Sequence, residues 1–490
     1  DVAENMADTI DVVGAVTIND ASLLLQDLAG AVAAQDTSLE YIIIDNDGTD
    51  SVVGNFATVV DNLAFLDPLV SVEGGDGNDV VLTFVQASSP VPPTPGPTPP
   101  TPVTIDLTTA GNTPNQLAAA SGLNPVLATD PNGTVLTNAF LPLSFAQAES
   151  ALDNLSGVQH TENNFEANQA GLHFTDTLSH IITSSLSGKD RDTLCRDGEN
   201  KNVPVDEQAC EQADRFHVFA SGLYRQGSID SDGLGKFRTE SESIGALFGV
   251  GVRLTDRFHG GVALGFSNSD NSISQVNSSS TLSSFFASAY GYYQKGQIDA
   301  NAIVGYATTN ITTDRIIQIG TFSETATSDQ DSNGFIAHLD TGYTVSYQTF
   351  DIRTSISAGY SSADREAFSE TGGGLTNLNG TAQTDTLGDV ALRFRAQKNY
   401  AIGGSFLTPY LGVGIQSLFG DVTPDATLSF QAGGPAFTVV GASLDRTRGL
   451  VETGARINAS DNIDLFVSYD GAFAGNSREH RFGFGIAVTF

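Results

Sequence analysis

From Arg215 to Phe490, apolar residues alternate with small, polar or charged ones at a period of two, and the pattern holds to the last residue. In Leu387 to Ala396, Val390, Leu392, Phe394 and Ala396 alternate with Asp389, Ala391, Arg393 and Arg395. Two arginines and an aspartate on one face exclude a dry core on that side. The same split recurs in 350–360, where Phe350, Ile352, Ile356 and Tyr360 oppose Asp351, Arg353, Ser355 and Ser357. Such alternation fits a soluble antiparallel sheet or a transmembrane barrel, and segment length separates the two.

Twelve segments follow this pattern, near 215–225, 243–255, 258–268, 282–294, 297–308, 334–347, 350–361, 384–397, 407–419, 447–459, 462–473 and 479–490. Most run 11 to 14 residues, twice the usual soluble strand and enough to cross a bilayer when tilted. Their connections alternate. Thr255-Asp256-Arg257, Lys295-Gly296, Gln348-Thr349 and Ala459-Ser460-Asp461 read as tight turns, and Asn310–Asn333, Ala363–Gln383 and Asp421–Arg446 as long polar loops. An even number of strands with tight turns at one rim and long loops at the other is the outer-membrane barrel pattern. No stretch of 18 consecutive apolar residues exists, so no transmembrane helix is expected.

Charge divides the chain differently. The first Lys or Arg is Lys189, whereas residues 1–188 hold 23 of the 57 acidic groups, and the whole carries a net −35. So acidic a chain repels phosphate backbones, which excludes an extended nucleic-acid partner. Cys195 and Cys210, the only two cysteines, read as one disulfide formed in an oxidising compartment; the other reading is two idle thiols. No basic segment followed by an apolar one stands at Asp1, so the expectation is a chain that starts after any export signal.

Before the alternating region lie three others. Residues 1–88 hold short β-rich runs such as Glu40–Asn46 and Val80–Val85, broken by DG and GG turns. Residues 89–103 include PVPPTPGPTPPTP, eight prolines in thirteen residues, an extended spacer. Residues 104–213 turn to helical spacing, with helices expected at Ser144–Leu155 and Phe165–Leu186. The second mixes Leu172, Leu178, Ile181 and Ile182 with Asn168, Gln169, His173, Asp176 and His180 around its circumference. A helix polar nearly all round suits a wet cavity.

Several motifs then resemble one family. EYIIIDNDGTDSVVGNF (Glu40–Phe56) and VEGGDGNDVVLTF (Val72–Phe84) are similar to the last strands of the β-helical passengers of monomeric autotransporters, the type V secretion family of Gram-negative bacteria. TPNQ (Thr113–Gln116) and ALDNLSGVQH (Ala151–His160) resemble the family's region just before its barrel, and a twelve-strand barrel ending in an aromatic residue completes the match.

The resemblance implies a mainly β chain: a twelve-stranded antiparallel transmembrane barrel (214–490) with a lumen-threading α-helix at about 165–186, preceded by a short β-helix-like passenger remnant. The implied function is an outer-membrane translocator that exports and anchors its own N-terminal passenger at the cell surface. Adhesion is one activity open to that passenger. Phe482, Phe484, Ile486, Val488 and Phe490 would form the insertion signal read by the barrel assembly machine, or else an ordinary last strand. Asn168, Gln169, His173, Asp176 and His180 would lie on the pore helix, the other reading being a soluble helix packed beneath the barrel. Arg353, Asp389, Arg393, Arg395, Glu452, Arg456 and Arg481 would line a charged lumen. Implied partners are outer-membrane lipid, the assembly machine and periplasmic chaperones, with a monomeric barrel.

Other motifs carry less. GGDGNDVVL (Gly74–Leu82) fits one copy of a calcium-binding nonapeptide, with Asp79 as a ligand, but such sites need consecutive rungs and a structural turn is favoured. Asn163-Asn164 is a paired asparagine of the kind at which some family members cleave themselves, although the flanking residues do not match. No GxSxG, HExxH or Cys–His pairing is present, so neither enzyme nor cofactor is expected. The rival readings are an outer-membrane barrel enzyme, protease or lipase-like, using a lumen cluster such as His338 and Asp340, and a passive channel.

Overall fold

Gly, Asp and Asn recur so often in the first 86 residues that, among the described residues there, no strand exceeds nine residues. In the computed structural model, which describes residues 2–3, 6–25, 40–48, 50–86, 105–186, 216–233, 235–347, 349–402, 405–460 and 462–490, these short strands stack as turns of a coil. The Pro-rich spacer and the segment holding Cys195 and Cys210 lie outside the described residues. Ile10–Val12 pairs in parallel with Tyr41–Asn46, Val16–Asn19 with Val52–Asn55, and Ser22–Leu24 with Thr58–Val60. The partners Ile10 and Ile44, Val16 and Val52, and Ser22 and Thr58 are 34 to 36 residues apart, so one three-sided turn lies on the next. An antiparallel hairpin, Leu66–Gly74 with Asp79–Gln86, ends the coil. Its turn uses Gly75 (φ +60°) and Gly77 (φ +112°), a region glycine occupies without strain. Asp79 accepts hydrogen bonds there from the backbone N–H of Asn46 (2.9 Å) and Asp76 (3.4 Å). Its carboxylate is a turn-holding group, and among the described residues no group of three or more His, Cys, Asp or Glu is placed to hold a metal.

Four helices follow: α1 (Pro114–Thr129), α2 (Gly133–Phe140), α3 (Phe145–Leu155) and α4 (Gln159–Leu186). TPNQ starts α1 as a capping box. Thr113 Oγ1 accepts from Gln116 N–H (3.3 Å), Gln116 Oε1 accepts from Thr113 N–H (2.9 Å), and Pro114 fills the first helical position, where no N–H is needed. Ser144 and Gln147 repeat the device at α3. Gly157, at φ +69°, turns the chain between α3 and α4. The expected start of the last helix at Phe165 is six residues late, because the polar run QHTENN (Gln159–Asn164) is helical as well.

The alternating region forms β1 (Phe216–Ile229), β2 (Thr239–Thr255), β3 (Phe258–Ile273), β4 (Ser278–Lys295), β5 (Ile298–Ile319) and β6 (Phe322–Tyr347), then β7 (Phe350–Arg365), β8 (Gln383–Gln397), β9 (Ser405–Gly420), β10 (Thr447–Ser460), β11 (Ile463–Phe473) and β12 (Ser477–Thr489). Each pairs antiparallel with the next, and β1 pairs with β12 from His217–Thr489 to Ile229–Ser477, closing a twelve-stranded barrel without an edge. Phe490 extends the closure: its N–H donates to Phe216 O (2.9 Å) and its carbonyl accepts from Phe216 N–H (2.8 Å).

The outward face is the apolar one. On β7, Phe350, Ile352, Ile356 and Tyr360 are exposed. Phe350 to Tyr360 spans about 33 Å of strand, or about 25 Å of height at a tilt near 40°, the height of an outer-membrane apolar band. Aromatic residues mark both margins, with Phe258, Tyr293, Tyr343 and Phe350 near the tight turns and Phe266, Tyr306, Phe335 and Tyr360 towards the long loops, all outward and exposed. Many inward positions hold Ser, Thr, Asn and charged residues, with an apolar patch at Phe219, Leu247, Phe286, Tyr290 and Ile303.

One sequence expectation is overturned. Asn310–Asn333 is no loop: β5 and β6 continue through it and turn at Gly320, so this hairpin stands well above the apolar band. The alternation persists there, with Ile311, Ile317, Ile319 and Ala326 turned inward and buried, although the intervening Thr, Asn and Asp read as loop composition. The other two long connections also hold strands: Phe368–Ser369, Leu378–Gly380, Asp425–Phe430 and Phe437–Val440 form a small sheet above the mouth. On that sheet and the β5–β6 overhang sit α1–α3 and the end of the coil, sharing one apolar core through Phe84, Leu123, Phe140, Leu152, Ile319 and Phe430. An extensive dry core of this chain thus lies outside the barrel, over its long-loop rim.

Candidate functional site: the barrel lumen and its helix

α4 enters at the long-loop rim with Gln159 and ends near the tight turns with Leu186. At the first end Gln159 Nε2 donates to Ser280 Oγ (3.2 Å) and Asn163 Nδ2 to Thr313 Oγ1 (3.1 Å). At the other, Thr183 Oγ1 accepts from Asn301 Nδ2 (3.0 Å) and Ser184 O accepts from the Arg456 guanidinium. Phe216, where β1 begins, is also at the tight-turn rim, beside Val252 and Phe490. The helix therefore carries the chain from one mouth of the barrel to the other.

The helix is not polar on every side in the same way. Phe174, Leu178, Ile181, Ile182 and Leu186, at helical spacing, pack against Phe219, Leu247, Phe286, Tyr290 and Ile303 on β1–β5, with the Phe174 and Phe286 rings stacked at 4.8 Å. Gly171 makes the approach close, since a Cβ there would lie 2.6 Å from Ser361 Oγ and 2.8 Å from a methyl of Ile336. The opposite side is wet and ionic.

On that side Asp176 accepts from Arg393 Nη2 (3.0 Å) on β8 and Arg481 Nη1 (2.9 Å) on β12, and His173 Nε2 meets Glu479 Oε1 at 3.0 Å. Arg395 pairs with Glu452 through two bonds (2.7 and 2.8 Å), and Gln416 donates to Asp389 (2.9 Å) while accepting from Arg448 (2.8 Å). Arg353 is held between Asp299 and Asp340, and Arg225 pairs with Glu166 of the helix. His180 lies 5.7 Å from the Tyr410 ring, and Asn168 Nδ2 donates to Asp385 O (3.0 Å). A charge kept in such a lumen needs its partner, because the desolvation it has undergone is otherwise uncompensated.

The lumen thus brings together the five helix residues and the seven charges singled out in the sequence. Gln169 is buried on the helix between β8–β9 and β12. Phe482, Phe484, Ile486 and Phe490 are exposed on the outer wall, with Val488 partly covered in the same row. Arg225, Asp299, Arg448, Asp470 and Glu479 also belong to the lumen set. The signal for Glu479 was its phase, two residues before Arg481 on one strand. Asn163 and Asn164 are buried, and Asn164 Nδ2 donates to Asp385 Oδ2 (2.7 Å). His338 and Asp340 both point inward, but the Asp340 carboxylate is taken by Arg353.

Where the helix leaves the rim, Arg315 of β5 binds Glu370 through two bonds of 2.8 Å and donates to Asn154 O (2.7 Å) at the end of α3. His160 Nε2 completes the cluster at 2.7 Å from Glu370. Burial lowers the His160 pKa against the pull of Glu370, so the imidazole is neutral at pH 7. Burial alone would raise Glu370, but the Arg315 charge and the hydrogen bonds from Arg315 and His160 outweigh it and hold the carboxyl well below its usual range.

A closed antiparallel barrel with an apolar outer band, aromatic margins and a polar, ion-paired lumen has the architecture of a transmembrane outer-membrane barrel. Residues 218–470, just over half of the sequence, match the family described as Autotransporter beta-domain, and the chain belongs to that family. It is an outer-membrane translocator of type V secretion. Among solved structures it is similar to the translocator domain of the autotransporter NalP from Neisseria meningitidis (15% identity, 64% of this chain and 98% of that one, TM-score 0.45). It is also similar to the β domain of the Bordetella autotransporter BrkA (16% identity, 56% and 100%, TM-score 0.43) and the transport unit of AIDA-I from Escherichia coli (14% identity, 64% and 98%, TM-score 0.41). No curated protein matches the sequence.

Proposed function

We propose that the barrel exports its own N-terminal region and then holds it at the cell surface. The observation that carries this reading is the course of α4. The described residues of the coil's end and of α1–α3, before Gln159, lie on the long-loop side, and the chain reaches the first barrel strand only after crossing the lumen. Outer-membrane barrels keep tight turns in the periplasm and long loops outside. On that orientation the coil and α1–α3 are extracellular, and α4 is the retained end of the exported chain. Folding outside favours forward movement, because a folded coil cannot slip back through the lumen. The outward aromatic row ending at Phe490 suits recognition by the barrel assembly machine, with periplasmic chaperones delivering the unfolded chain, outer-membrane lipid around the band and one chain per barrel.

The test is surface proteolysis of a tag at Asp1 in intact cells. Exposure in the full chain and loss of exposure on deleting Phe165–Leu186, with the barrel still inserted, is the expected result. A tag shielded in both, with the barrel inserted, would place the N-terminal region in the periplasm and overturn the reading.

A further inference from the structure

α4 fills the lumen unevenly. Leu178, Ile181, Ile182 and Leu186 pack dry against β1–β6, but a row of four cavities runs beside its polar residues, bordered by β7–β12 and, at the central and last cavities, by β1–β3 as well. The one nearest the tight turns, about 60 Å³, is lined by Ser184, Thr344, Gln397, Thr408 and Arg456. It shares His180, Arg353 and Arg395 with a central cavity of about 100 Å³. That cavity shares His173, Asp176 and Arg481 with a third, of about 20 Å³, which shares Gln169, Arg448 and Glu479 with a fourth of the same size. The fourth reaches Glu162, Thr239 and Ser477 at the long-loop rim. A polar cavity with room for one water is hydrated, so the row bears water. Glu479 stands where the third and fourth cavities adjoin, against His173, Arg448 and Arg481.

Above the last cavity pass the connections after β1 and after β9. Lys236 Nζ of the first donates to Ser443 Oγ of the second (3.3 Å), and α1 bridges the two: Asn115, buried in the TPNQ motif, donates from Nδ2 to Gly235 O (3.0 Å) on the first and to Val440 O (2.9 Å) on the second, and accepts from Val440 N–H (2.9 Å). The amide satisfies the edge of strand Phe437–Val440 as another strand would. Gly235 lies so close to Thr113 that a Cβ would sit 2.6 Å from its hydroxyl. Phe430 and Phe437 of the second connection pack under α1 at Gly122.

We propose that the polar side of α4 leaves an ion-permeable seam through the barrel, and that α1, fastened by Asn115, is the lid that closes its long-loop end. This stands whether or not the N-terminal region is exported, since it concerns the assembled barrel, and a surface-tag experiment does not bear on it.

The full chain is reconstituted in planar bilayers in KCl, with barrel folding checked by heat-modifiable migration. Wild type is expected to be closed, and Asn115→Ala to raise ion conductance about tenfold or more while larger solutes stay excluded. Because one amide is a small change, a second variant carries Asn115→Cys and Val440→Cys with Cys195→Ser and Cys210→Ser. It should be closed when oxidised and conducting when reduced, reversibly. Adding Glu479→Ala to the open variant should shift its cation-over-anion preference, since the current runs past that carboxylate. Wild-type conductance equal to that of the opened variants would show that α1 is not the seal. Silence of both opened variants with the barrel folded would show that the seam does not conduct. A current indifferent to Glu479 would place the leak outside the seam.

Discussion

Replacing Arg315 by Ala tests how the structure above the rim is held together. The Arg315 side chain is 1% exposed, and it donates from Nε and Nη2 to Glu370 (2.8 Å each), from Nη1 to Asn154 O (2.7 Å) and from Nη2 to Thr376 O (3.0 Å). Truncation leaves the Glu370 carboxylate buried with His160 and the Leu378 N–H as its remaining partners. Orphaning one charge of a buried pair costs about 3–5 kcal/mol. Because α1–α3 share a core with the loop that carries Glu370, the loss falls on them. Their amide hydrogen exchange in detergent should quicken by about 10²–10⁴-fold, at 1.36 kcal/mol per power of ten, while β10–β12 exchange as before. Acid should reverse part of this. In wild type the lowered Glu370 contributes fully above the unfolded carboxyl pKa, about 4.3, and fades only as pH falls through its still lower folded value. In the variant the unpaired, buried carboxyl is raised, so its cost is full above that raised value and vanishes below the unfolded one. The double replacement Arg315→Met with Glu370→Leu removes the pair's attraction together with its desolvation and should stay within about 1 kcal/mol of wild type. If the single variant exchanges no faster than the double, the orphaned charge is not what matters and the reasoning fails.

Asp153 on α3 is raised to about 6 by burial, so its cost is full above that pH and absent below the unfolded value near 3.8. Asp153→Asn should slow exchange in α3 at pH 7.5, by about 1–2 kcal/mol once solvent screening is allowed for, and do nothing at pH 4; a benefit that persists in acid would rule the titration out. Asp176→Ala leaves Arg393 and Arg481 without their shared carboxylate and should loosen α4 by about 2–3 kcal/mol, seen as faster exchange along α4 with β1–β12 unchanged; Asp176→Asn should recover part of it, and equal exchange in all three proteins would remove Asp176 as the pin. Deleting Phe490 removes two backbone hydrogen bonds and a ring 6.3 Å from that of Phe216, so the barrel should lose its compact migration at a lower temperature; an unchanged transition would mean that closure is complete by Thr489.

Much of the barrel was legible because its strands obey one local rule. The expected 350–361 and 447–459 begin where β7 and β10 begin, and each ends within four residues of the observed strand. Composition misled where water and not lipid covers the outward face: above the band, β5 and β6 carry Thr312, Asp314, Asp329 and Asp331 outward, and such residues read as loop although Ile311 and Ile317 keep the inward phase. The polar run Gln159–Asn164 was missed as helix for a related reason. Its side chains are satisfied by Ser280, Thr313 and Asp385, which only the closed barrel brings near. The lumen charges were legible singly by parity, but their pairs were not. Asp176 and Arg481 are 305 residues apart, and their meeting depends on strand register and on the rotation of α4, neither of which is local. The assembly of α1–α3 over the rim depends on contacts of the same long-range kind.

The two interiors of this molecule are built on opposite principles, and that difference gives assembly an order. In the lumen, backbone groups are paired around the closed sheet, charges pair on one side of the helix and an apolar cluster packs on the other, all of it inside the barrel, so this part can form wherever a barrel can close. The dry core over the rim is held by apolar burial, which requires water as the alternative medium. It draws Phe84 and residues of α1–α3 from before α4, Ile319 from the β5–β6 overhang, and Leu378, Phe430 and Val439 from the connections between barrel strands. Those two sets are separated in sequence by a helix that runs from one mouth of the lumen to the other. The core can therefore form only when the segment before α4 stands on the same side as the long connections. Once formed, it opposes withdrawal of that segment with its whole buried surface, independently of the ion pairs that hold α4 in place.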